Sequence, residues 1–119
     1  VTPHNIHHHL YDVHHELTDP GDGKTIRFNG DLMICEMVSV TAETRTLAAP
    51  SKPGLRAVLR LKTDGGDIVV TQANGFNAAG ETKATFNDAS PVLNLISVET
   101  ATPGTFRWQI ATRRIAFQA

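Results

Sequence analysis

Leu32-Met33-Ile34-Cys35-Glu36-Met37-Val38-Ser39-Val40 opens the stretch on which the reading of this chain turns. Arg45-Thr46-Leu47 follows, then a connection through Pro50 and Pro53-Gly54, then Leu55-Arg56-Ala57-Val58-Leu59-Arg60-Leu61. Asp64-Gly65-Gly66 closes that segment and leads into Asp67-Ile68-Val69-Val70-Thr71. Each piece is short, alternates or is apolar throughout, and ends on turn residues, which is the pattern of antiparallel β-structure. In 55–61, Leu55, Ala57, Leu59 and Leu61 share one face, leaving Arg56, Val58 and Arg60 on a half-exposed one. In 32–40, Glu36 interrupts the face of Leu32, Ile34, Val38 and Val40, and reads as a rim or subunit-contact residue.

Working outward, the pattern continues toward both termini. Lys24-Thr25-Ile26-Arg27-Phe28 reads as a first strand, and Asn29-Gly30 is a strong two-residue hairpin signal. Residues 82–86 and 92–98 are further alternating strands, separated by Asn87-Asp88-Ala89-Ser90-Pro91. Thr102-Pro103-Gly104 marks another turn. Phe106-Arg107-Trp108-Gln109-Ile110 alternates with Phe106, Trp108 and Ile110 inward. Phe76 anchors a small, polar loop, and Phe86 ends its strand in core phase; Phe76, Phe86, Phe106 and Trp108 are therefore the expected aromatic core. About eight short strands in one domain call for two packed sheets or a closed barrel. The expected fold is all-β: an antiparallel, jelly-roll-like sandwich over 21–119, preceded by an N-terminal element over 1–20.

That N-terminal element holds all six histidines, His4, His7, His8, His9, His14 and His15. Ile6, Leu10, Val13 and Leu17 are spaced for one helical stripe, with Pro20-Gly21 as a stop. The segment reads as a short helix or as an extended arm that orders against a partner. In either form those four apolar residues, with Arg56 and Arg60, are the candidate interface. His4, His8, His15 and Asp12 fall at spacings a metal can use. Surface histidines without a metal, and a pH-sensitive contact, are the competing readings.

Composition narrows the function classes. The chain has 119 residues, 40% of them hydrophobic, and 11 basic against 12 acidic residues give a net charge of -1. That balance gives no nucleic-acid footprint. No apolar run approaches the roughly 20 residues of a membrane helix. Cys35 is the only cysteine and reads as a buried residue in a reducing compartment. No nucleophile elbow, zinc-protease motif, calcium loop or phosphate loop is present. No cofactor and no enzymatic activity are expected.

The order Arg45-Thr46-Leu47-Ala48-Ala49-Pro50, Asp64-Gly65-Gly66-Asp67-Ile68-Val69-Val70-Thr71, Asn77-Ala78-Ala79-Gly80, Ala84-Thr85-Phe86 and Phe106-Arg107-Trp108-Gln109-Ile110 resembles small virion proteins of tailed bacteriophages. The likeness spans roughly 44–111. It implies a capsid decoration (cement) protein, a homotrimer bound to the major capsid protein on the outer capsid surface after synthesis in the host cytoplasm. A tail or fibre component, a carbohydrate-binding module using Trp108 or Phe76, and a metal-dependent β-barrel enzyme are the alternatives.

Overall fold

The computed structural model describes residues 14–28, 30–76, 81–89, 92–112 and 116–118. The strands in chain order are β1 (His14–Leu17), β2 (Lys24–Ile26), β3 (Leu32–Val38), β4 (Glu43–Leu47), β5 (Arg56–Thr63), β6 (Ile68–Thr71), β7 (Lys83–Phe86), β8 (Val92–Glu99), β9 (Phe106–Thr112) and β10 (Ala116–Gln118). They make two five-stranded sheets. Sheet I runs β1-β3-β5-β8-β9 and sheet II runs β10-β7-β6-β4-β2.

The first six strands alternate between the sheets, and this overturns the antiparallel jelly-roll expectation. A strand in sheet I is followed by one in sheet II, so the chain re-enters sheet I in its original direction. The pairs β1/β3, β3/β5, β2/β4 and β4/β6 are all parallel. Three stacked coils result. From β7 onward the pairing turns antiparallel, through β6/β7, β5/β8, β8/β9 and β7/β10. Parallel neighbours require a crossover, and here the strand in the opposite sheet is that crossover.

Short connections suffice because the sheets are about 10 Å apart and four residues span about 13 Å. Residues 39–42 and 64–67 are two such connections. Neither Asp64-Gly65-Gly66 nor the segment containing Gly30 is therefore a hairpin turn; each leads from one sheet to the other. Gly65 and Gly66 lack positive φ. They are needed for close approach: a Cβ on Gly65 would strike the backbone of Ser39 and Val40, and one on Gly66 that of Thr41 and Ala42. Gly104, at φ 83°, lies in the connection that joins β8 to β9 within sheet I.

The N-terminal helix is also corrected. Among the described residues there is no helix, and His14–Leu17 is an edge strand paired in parallel with Leu32–Cys35. A long neighbour with free backbone groups outweighs the helical spacing of Val13 and Leu17. Residues 1–13 lie outside the described residues.

The core lies between the sheets. Met33, Cys35 and Met37 point inward from β3, Ala57, Leu59 and Leu61 from β5, and Leu93 and Leu95 from β8. Ile26, Leu47, Ile68, Val70, Ala84 and Phe86 meet them from sheet II. Phe28 stands edge-on to Trp108, with ring centroids 5.9 Å apart.

Candidate interaction surfaces

The end of the sandwich that carries connections 18–23, 39–42 and 64–67 is built around a buried charge. Alternation along β4 puts Arg45 in phase with Leu47, so its guanidinium enters the interior, where its side chain is fully buried. Asp19 grips it through two hydrogen bonds, from Nε to Oδ1 at 2.8 Å and from NH2 to Oδ2 at 2.9 Å. Glu43 Oε1 lies 3.0 Å from NH1. Arg45 also donates to the carbonyls of Thr44 and Val38.

The same carboxylates fasten backbone. Asp19 accepts the Val38 N–H at 2.9 Å, and Glu43 accepts the Val40 N–H at 3.0 Å. Between them, Ser39 donates its N–H to the Thr63 carbonyl. The Ser39 hydroxyl accepts from Gly65 and Gly66 N–H and donates to the Gly66 carbonyl at 2.6 Å. Burial works to raise the Asp19 pKa, but the hydrogen bonds from Arg45, Val38 and Gly21 outweigh it and hold the carboxyl below the ordinary carboxylate value. Glu43 is lowered as well, chiefly by the Val40 N–H and then by Arg45. Burial, with a smaller contribution from the Asp19 charge, pushes the Cys35 thiol up to about 12, so it is not a nucleophile at neutral pH.

The consequence is a pinned turn with apolar side chains facing water. Val38 is 44% and Val40 78% exposed, although backbone groups of residues 38–40 are tied down. Apolar residues held outward on a rigid turn form a preorganised contact.

The two outer faces of the sandwich differ in chemistry. Sheet II presents Thr25, Thr46 and Thr71 in one register rank, with Thr44, Val69 and Thr85 in the next. Sheet I presents Leu32, Ile34, Val58, Val92, Ile96 and Val98, all half-buried. Arg56 and Arg60 stand on this face, as the alternation of β5 predicts, with Arg60 paired to Glu36 at 2.7 Å. A shallow groove of about 300 Å³ runs between Leu32, Arg56, Val58, Asn94 and Ile96.

The remaining site residues read from the sequence are distributed as follows. Leu17 packs half-buried against the core from β1. Ile6, Leu10, Val13, His4, His8 and Asp12 lie outside the described residues, and His15 is placed by its backbone opposite Met33. Among the described residues, no three His, Cys, Asp or Glu side chains gather into a metal-binding group. Phe76, Phe86 and Trp108 are fully buried, whereas Phe106, at the start of β9, is only half-buried. Arg45 and Asp19 were not among the site residues read from sequence. The available signal was a charge in the apolar phase of Glu43-Thr44-Arg45-Thr46-Leu47.

In comparisons with known proteins, the chain matches no protein-family model and no curated protein.

Proposed function

We propose that this chain is a structural protein of a tailed-bacteriophage virion, a head decoration protein that docks on the major capsid protein at the outer surface of the shell. The likeness of residues 44–111 to small virion proteins supports the class. The single observation that carries docking is the pinned turn, with Val38 and Val40 held outward over the Arg45 clamp. A protein that stiffens a shell must transmit load without yielding locally. A turn fastened through Asp19, Glu43 and Ser39 meets that requirement with little ordering left to do on contact. Trimerisation would let several weak contacts engage together, so that effective concentration holds the protein on the shell.

The test has two parts. Mass spectrometry of purified particles should find the chain, and an electron-microscopy map should place it on the head. Purified protein should co-sediment with heads stripped of it, and Val40→Asp should abolish that co-sedimentation while its circular dichroism stays native. Absence from particles overturns the proposal. Density confined to the tail replaces decoration with the tail-component reading.

A further inference from the structure

We infer that the pinned turn fits a partner surface of one kind, an apolar recess bordered on two sides by basic side chains. This rests on the docking reading above and says what the turn docks into. The first ground is the apolar centre. Among the described residues, Val38 and Val40 are the large hydrophobic side chains exposed to water. Thr41 and Ala42 beside them are exposed as well, and no charged residue stands in Ser39-Val40-Thr41-Ala42. The N–H groups of Val38, Ser39 and Val40 are already fastened within the chain. The turn therefore offers a partner little but apolar surface, and a recess of the same character is what lets that surface leave water.

The second ground is the border. The stacked coils lay connections 18–23, 39–42 and 64–67 side by side, with 39–42 in the middle. Asp22 is exposed on one flank, and Asp64 and Asp67 on the other. Both flanks are fixed to the centre. A Cβ on Gly65 or Gly66 would strike the backbone of 39–42, Ser39 accepts from both glycine N–H groups, and Asp19 holds the Val38 N–H. The Arg45 clamp does not cancel this acid, since it sets two carboxylates around one guanidinium. Two bases stand nearby, outside the three connections. Lys62 shares a shallow groove with Glu16, Glu36 and Val38, and Lys24 lies on the edge strand β2. At the opposite end, the coil connections 27–31 and 48–55 carry Arg27 and Lys52 against Asp31. The acid border therefore belongs to the valine end and does not follow from the net charge, which is only -1.

Neighbouring coils stack about 4.8 Å apart, so the two acidic flanks lie about 10 Å from each other across the valines. Charges at such a rim steer approach and fix orientation, while the apolar centre supplies the hold. A partner with lysines or arginines about 10 Å apart, on either side of an apolar recess, matches both features. A recess bordered by carboxylates would set like charges together.

Binding of the full chain to stripped heads, followed against salt, tests this. As salt rises from about 0.05 M to about 0.5 M, wild-type affinity should fall about tenfold, chiefly through slower association. Asp64→Asn with Asp67→Asn should remove most of that dependence and weaken binding about fivefold at low salt. Asp64→Lys with Asp67→Lys should reverse the sign, binding better as salt rises. If the lysine pair loses its native circular dichroism, the milder asparagine pair decides. Thr46→Lys with Ser51→Lys makes the same change in net charge as the asparagine pair, away from the border, and should bind as the wild type does. Wild-type affinity that is indifferent to salt, or rises with it, overturns the inference. So does an asparagine pair that binds no differently from the Thr46 and Ser51 pair. Docking itself is read through Val40→Asp, whose carboxylate would enter the apolar recess and not the basic border. Heads that bind the wild type and reject Val40→Asp, yet treat the aspartate variants as wild type, leave docking standing and overturn the basic border alone. Heads that fail to bind the wild type overturn both.

Discussion

The two ends of the sandwich solve one problem with opposite chemistry. At each end the chain crosses between sheets and must be fastened. The end that carries Val38 and Val40 uses charge: Arg45 buried against Asp19 and Glu43, with Ser39 between two connections. The opposite end is fastened by neutral groups. Trp108 Nε1 donates to the Ala48 carbonyl at 2.9 Å, and Gln72 Nε2 to the Leu47 carbonyl at 2.6 Å. The Ser97 hydroxyl donates to the Lys52 carbonyl and accepts the Leu55 N–H. Neutral groups on a large apolar body add stability directly. A buried ion pair offsets much of its own attraction by desolvation, so what it supplies best is position. The neutral end therefore holds the fold, and the charged end fixes the geometry of an outward-facing turn.

The largest expected effect lies at the neutral end. Trp108→Ala should lower unfolding free energy by about 3–5 kcal/mol, measured by denaturant titration, because it empties a fully buried ring site and frees the Ala48 carbonyl. An unchanged midpoint would break the comparison, and would revive the carbohydrate-binding reading if sugar binding were lost instead. Next comes Arg45→Ala, which leaves Asp19 and Glu43 facing each other without their cation. It should cost about 3 kcal/mol, at the low end for a broken buried pair because the rims of both carboxylates reach water. It should also weaken particle docking beyond what Trp108→Ala does at matched stability. If both variants docked alike, the charged end would have no special role in position.

The contrast also explains what the sequence revealed. All-β character, the positions of β2 to β9 and the alternation of β5 and β8 were legible because burial on one side writes a period of two into the residues. Parallel coiling was not legible, since connections such as 39–42 and 64–67 have the length and composition of hairpin turns. What sets them apart is the long-range contact of Gly65 and Gly66 with the backbone of residues 39–42, which no local pattern encodes. The edge strand at His14–Leu17 escaped for a similar reason, because the backbone of Leu32–Cys35 decides it. The Arg45 clamp was half-visible: the inward phase of the arginine could be read, but its partner Asp19 lies 26 residues earlier.

Acid should loosen one end selectively. The carboxyls of Asp19 and Glu43 are both held below their ordinary values in the folded chain. Groups with a depressed folded pKa contribute stability that is fully present above their unfolded values and is lost as pH falls through them. Stability should therefore stay level in these two groups from neutrality to about pH 5 and decline below about pH 4. Hydrogen exchange should show amides of 38–43 opening before those of 48–55. Asp19→Asn should flatten part of the decline, and a decline of unchanged steepness in that variant would remove Asp19 from the account.

The smallest effect sharpens the distinction between a buried ion pair and an exposed one. Arg60 and Glu36 stand on neighbouring strands of sheet I, with NH1 2.7 Å from Oε2, as close as any contact within the Arg45 clamp. Their side chains are nevertheless 42% and 26% exposed. Water screens this pair, and holding two long side chains in one geometry consumes part of the attraction. A double-mutant cycle of Arg60→Ala and Glu36→Ala in monomeric protein should return a coupling of only about 0.2–1 kcal/mol, shrinking as salt is raised. The corresponding cycle of Arg45→Ala and Asp19→Ala should return more and respond less to salt, because the guanidinium is out of reach of counterions. If the two cycles matched, the distance between charges would be the controlling variable and burial would not. Burial would then give the charged end no special hold on the position of its turn.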